Sequence, residues 1–111
     1  MSCDFCLFFF GIRFSIFEDD IEALEERTHP IMIQAQSAAL QYYWANFGGH
    51  AEKCFLFVGR NLGILGREDL NENEFFRDDL DAIAAATRRT LVSAGFSEEP
   101  RFYLQWAISS A

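Results

Sequence analysis

Four residues have the types and spacing of a zinc site. Cys3 and Cys6 form a C-x-x-C, and His50 and Cys54 form an H-x-x-x-C. Zinc takes four nitrogen and sulfur ligands, commonly delivered as two closely spaced pairs. Position argues for a different reading. The first pair lies near the start of the sequence, and the second straddles a helix exit and a strand entry. Cys54 also shares a strand face with Leu56 and Val58, where a thiol serves as a small core side chain. Core packing is the preferred reading, zinc the alternative, and no cofactor is expected. A redox role fits less well, because a redox C-x-x-C precedes a helix whose N-terminus lowers the thiol pKa. Here a strand follows.

Two further groups can carry chemistry. Gly59, Gly63 and Gly66 lie among Arg60 and Arg67, so backbone N–H groups and arginines could hold an anion through Arg60, Gly63 and Arg67. Neither G-x-G-x-x-G nor a G-K-[ST] motif is present, and a plain hairpin turn is preferred. Tyr42, Tyr43, Trp44, Asn46 and His50 cluster after the middle of an apolar stretch. With Trp106 they are candidates for a pocket in which His50 acts as acid or base, or for core and interface anchors. The second reading is preferred, and no residue is assigned as catalytic.

The elements that position these groups follow from hydrophobic period. Phe8, Phe10, Ile12, Phe14 and Ile16 alternate with Phe9, Gly11, Arg13, Ser15 and Phe17, the period of a strand with a half-polar second face. An acidic segment follows, Glu18 to Arg27, long enough for a helical turn or two. Thr28 is placed to cap a helix, with Pro30 in its first turn. The spacing predicts that this helix runs from His29 to Phe47 and stops at Gly48-Gly49. It is apolar on two sides, with Ile31, Ala35, Ala38, Tyr42 and Ala45 on one and Ile33, Leu40, Trp44 and Phe47 on the other. No charge occurs from Pro30 to Ala51, so something must cover both sides.

Lys53 to Arg60 reads as a second strand. Asn61-Leu62-Gly63 reads as a turn, and Ile64-Leu65 as a short return arm. A helix is predicted over Asn73 to Ala94, with Gly95 as its left-handed terminator and Phe96 packing back on Leu91. The last strand runs from Arg101 to Ile108, with Phe102, Leu104, Trp106 and Ile108 toward the core. The resulting order is β-α-β-β-α-β. It predicts an α+β, ferredoxin-like two-layer sandwich: an antiparallel sheet with two main helices on one face, in a single domain over 1–111.

Charge narrows the partner classes. The 111 residues carry a net charge of -8, with 17 acids against 9 basic residues. Phosphate backbones and anionic lipid need a surplus of lysine and arginine, so direct nucleic-acid binding and membrane docking are not expected. Glu18–Arg27 and 67–81 each carry a net charge of -5, and the rest is slightly positive. Both segments read as solvated helix starts, or as a patch for a basic protein if they are neighbours. Phe5 to Phe17 is apolar but preceded by no basic residue, and it is too short for a membrane span. Three cysteines are too few for a disulfide framework, so a cytoplasmic setting is expected.

Three functional readings follow. The first is a non-enzymatic homodimeric or partner-binding module, carried by the two-sided apolar stretch. The second is a small-molecule enzyme of the dimeric α+β barrel type, which pairs two sheets around a cavity. The third is an acidic polyanion mimic that occupies a nucleic-acid-binding protein.

Overall fold

The computed structural model describes residues 2–46, 54–66 and 74–110. Strand β1 (Ser2–Ser15) leads through a 3-10 turn (Glu18–Asp20) into helix α1 (Ile21–Glu25) and helix α2 (Pro30–Ser37). Strand β2 (Gln41–Asn46), strand β3 (Cys54–Leu65), helix α3 (Arg77–Ser93) and strand β4 (Arg101–Ser110) follow among the described residues. The four strands form one antiparallel sheet in the order β2-β3-β1-β4.

The ferredoxin-like two-layer sandwich expected from the sequence is overturned in the elements that composed it. It needed one long helix from His29 to Phe47, and that helix ends at Ser37. Ala39 adopts φ +59°, and the Leu40 N–H donates to the Ala35 carbonyl at 2.9 Å. This left-handed helix stop normally falls to glycine, so an alanine gives no sequence signal for it. Beyond it, Tyr42 and Trp44 pack against the helix-side core while Tyr43 and Ala45 pack against the opposite cluster. The stretch has the period of a strand. Its two apolar sides are the two faces of a sheet, and aromatic side chains favour that conformation.

The expected hairpin over Lys53–Leu65 is corrected too. Cys54–Leu65 is one continuous strand, and it pairs with β2 on one side and β1 on the other. Asn61-Leu62-Gly63 makes a bulge instead of a turn. Phe8 faces Gly63 and Phe9 faces Asn61, which leaves Leu62 as the extra residue. The Asn61 carboxamide oxygen accepts from the Gly63 N–H at 2.9 Å, so the local asparagine chemistry is that of a turn while the chain continues forward.

The helices end and begin by recognisable devices. The imidazole Nδ1 of His29, not Thr28, accepts from the Ile31 N–H at the start of α2. At the end of α3 the Phe96 N–H reaches the Leu91 carbonyl, Gly95 has φ +95°, and Phe96 and Leu91 share the core, as the sequence predicted. Among the described residues no helix is long and apolar enough to cross a membrane.

Two buried clusters lie on opposite faces of the sheet. Ile12, Ile16, Cys54, Leu56 and Val58 meet Leu24, Met32, Ala35, Leu91 and Phe96 from the helices. Phe5, Leu7, Phe9 and Phe57 form the second cluster with Tyr43, Phe55, Ile64 and Tyr103, and no described helix residue belongs to it. The face expected to be half polar is thus a second core over its first half. Only beyond Gly11 does it become polar, at Arg13 and Ser15.

Candidate functional site

The most distinctive surface is on β4. This strand is an edge of the sheet, and its helix-side face carries Phe102, Leu104 and Trp106 at 45%, 72% and 57% exposure. The sequence placed all three in the core. They are open because α3 makes its sheet contacts chiefly with β1 and β3. The register sets Phe102 opposite Phe10, Leu104 opposite Phe8 and Trp106 opposite Cys6. Phe8 lies between Phe75 and Phe102, at ring distances of 5.8 and 6.1 Å, and Phe102 leans on Phe10 at 4.6 Å. An apolar strip therefore continues from the edge strand onto β1. No charged residue occurs after Arg101. Natural sheet edges are commonly protected by lysine, proline or a bulge, and from Phe102 to Ser110 β4 has no lysine or proline.

The aromatic candidates do not converge. Tyr42 and Trp44 sit half-buried on β2 at one edge of the sheet, Tyr43 points to its other face, and Trp106 lies on β4 at the far edge. Three strand spacings separate the two edges, about 14 Å. The Tyr42 hydroxyl accepts from the Gln36 side chain at 3.1 Å, which ties β2 to α2. His50 and Arg67 lie outside the described residues.

The cysteine tetrad does not form through its described members. On the β1–β3 ladder Cys6 faces Leu65, while the Cys54 carbonyl accepts from the Ile16 N–H. Ten residues of β1 separate those two points, about 33 Å of strand. Among the described residues no three metal-ligating side chains cluster. Cys54 is buried, and desolvation pushes its thiol above the ordinary value of 9.0. A folded state that holds this proton more tightly than the unfolded chain is fully stable below that value. It loses the contribution as pH rises through the folded-state pKa. The urea midpoint should therefore fall more between about pH 8 and about pH 10 in the wild type than in Cys54→Ala. Equal falls in the two proteins would contradict this.

The acidic segments are set apart. Glu18–Asp20 and α1 follow the C-terminal end of β1, where Phe14 meets Phe96. Asp78 and Asp79 open α3 just beyond Phe75, which touches Phe8 at the middle of β1. Phe8 and Phe14 are six residues apart on β1, about 20 Å of strand, so Glu18–Asp20 is set apart from Asp78 and Asp79 along the sheet. The barrel-enzyme reading needs a hollow second sheet face. Phe5, Leu7, Phe9 and Phe57 are buried there, and the Arg13 guanidinium lies over Phe55 and Tyr103 at 4.6 and 5.0 Å. The Arg13 side chain also donates to Gln105 at 2.9 Å.

Two arginines matter in a way the motifs missed. Arg60, expected in a glycine-rich turn, stands on β3 and lines a cavity with α3. Arg89 lines a neighbouring cavity between α2 and α3. Nothing in the sequence pairs them, because the groove arises only when α3 packs across the α2–β2 junction. Comparison with known proteins finds no matching family model, no matching curated protein and no matching solved structure.

Proposed function

We propose that this chain is a non-enzymatic binding module that pairs with a second copy of itself through β4. The observation that carries the reading is the exposure of Phe102, Leu104 and Trp106 on one face of an unprotected, ten-residue edge strand. Aromatic anchors without charges are what interface centres use. An antiparallel β4–β4 pairing about a twofold axis perpendicular to the sheet keeps the same face up in both copies. It would satisfy the outward backbone groups of the edge and join the two apolar strips into one. The absence of charge on the strip matters for a protein of net charge -8, since two copies can approach there with the least local repulsion. The helix apolar on two sides that the sequence predicts ends at Ser37, and the β4 surface is the apolar face that calls for a partner.

Light scattering tests the reading. The wild type is expected at twice its 12.7 kDa chain mass at micromolar concentration. Leu104→Glu and Trp106→Glu should each shift it toward the monomer with an unchanged circular dichroism spectrum, because both side chains are exposed. A wild type of monomeric mass sinks the proposal, and so does a dimer that both variants leave intact. A stable complex with a basic protein in place of the dimer would likewise reject the second copy as occupant.

A further inference from the structure

The groove between α2, the α2–β2 junction and α3 gathers two arginines in an acidic chain. One cavity, about 610 Å³, is lined by Gln34, Ser37, Arg89, Thr90 and Ser93 among others. A second, about 370 Å³, is lined by Gln41, Gly59, Arg60, Thr87 and Thr90. Thr90 lines both, so the cavities adjoin along α3 and are taken together as one cleft. Each part falls within the size range of small-molecule sites. Among the described residues no acidic side chain lines either part, although acids outnumber basic residues almost two to one in the chain. Among the described residues Arg60 and Arg89 make no ion pair, while their neighbour Arg88 is held by Glu99 at 2.7 Å.

The hydroxyls narrow the ligand further. Ser37 donates to the Ile33 carbonyl at 2.9 Å, and Thr90 donates to the Ala86 carbonyl at 3.1 Å. Their protons are used, so each offers lone pairs to the groove and accepts from a donor there. Several carbonyls at the two helix ends already have partners, which lessens their pull on a cation. Ala94 accepts from Gln34, Ala35 from Leu40, and Gln36 from Ala39. We propose that this cleft binds a small organic anion that also carries hydroxyl groups, a sugar phosphate or a hydroxycarboxylate. Arg89 and Arg60 take its anionic groups, and Ser37 and Thr90 accept from its hydroxyls. Guanidinium groups suit carboxylate and phosphate alike, so the anion's class is for the experiment to decide.

The test is an NMR titration of the full chain with ribose 5-phosphate, with citrate, and with neutral ribose. The expected result is amide shifts confined to 34–41, 59–60 and 86–94 with one or both anions and none with ribose. Response to ribose 5-phosphate alone assigns a phosphate ligand, and response to citrate alone a hydroxycarboxylate. Arg60→Gln and Arg89→Gln should each weaken binding about tenfold. Arg88→Gln removes the same charge outside the cleft and should leave binding within about twofold, since exposed charges act weakly at a distance. Unchanged spectra at millimolar anion, shifts spread over the whole surface, or equal weakening by Arg88→Gln would each overturn the proposal. All three arginines are exposed, so the variants are expected to fold, and the undisturbed resonances of β1 check this in the same spectra.

Discussion

Gly11→Ala is expected to cost more than about 4 kcal/mol, a loss in the range that single substitutions reach only through backbone clash or core collapse. Gly11 and Gly59 face each other across the central β1–β3 pair. Their φ angles are +158° and +150°, a region that L side chains rarely adopt. A Cβ on Gly11 would collide with the Val58 carbonyl oxygen, and one on Gly59 with the Phe10 carbonyl oxygen. Both obstacles are backbone in the middle of the sheet and cannot swing aside. A domain of this size has roughly 5–15 kcal/mol in all, so either substitution removes a large share. Gly95→Ala is the internal comparison. Its φ of +95° is also unfavourable, but the added methyl meets only the Gln34 side chain at 3.2 Å. About 1 kcal/mol is expected there. Urea unfolding reads all three, and a Gly11→Ala midpoint close to that of Gly95→Ala would refute the close strand contact.

Phe57→Ala should be nearly as damaging, at about 3–5 kcal/mol. Phe57 has no exposed surface, and its ring lies 5.5 Å from Phe9, 5.4 Å from Tyr103 and 6.5 Å from Phe55. It is the centre of the cluster that no described helix residue joins. A phenylalanine on a solvated sheet face would cost far less on truncation, typically within about 1 kcal/mol. The variant therefore decides whether the sheet has one core or two. Phe57→Leu keeps most of the volume and should cost about half as much or less.

The parts of the fold legible in the sequence are those where period and punctuation agree. Strand β1 alternates over ten residues, α3 repeats at helical spacing, and Gly95 with Phe96 marks its end. The stretch from Pro30 to Asn46 was ambiguous because apolar residues occupy almost every position. Such a run satisfies a helical stripe and a strand alternation at once. The residue that decides between them, Ala39 in the left-handed region, is not of the type that announces it. Arg27 ends α1 in the same unannounced way, with φ +60°. Asn61 and Gly63 carried correct local chemistry, yet a bulge and a turn use the same residues.

The site was legible only in fragments. Trp106 and Arg60 stood out as residue types, but not their neighbourhoods. Whether Phe102 and Leu104 are core or surface depends on where α3 lands, and nothing within β4 records that. Arg89 joined Arg60 only through tertiary packing. The charge-free tail after Arg101 was the one local sign that β4 differs from an ordinary protected edge.

Hydrogen exchange at two protein concentrations measures the pairing of β4 most directly. If β4 docks a second copy, the amides of 101–110 that point away from β1 gain protection as concentration rises through the dimer range. Those of β2, at the other edge, exchange at the same rate throughout. Leu104→Glu should abolish the concentration dependence. Exchange along β4 that is fast and identical at every concentration would contradict the assignment of this strand as the interface.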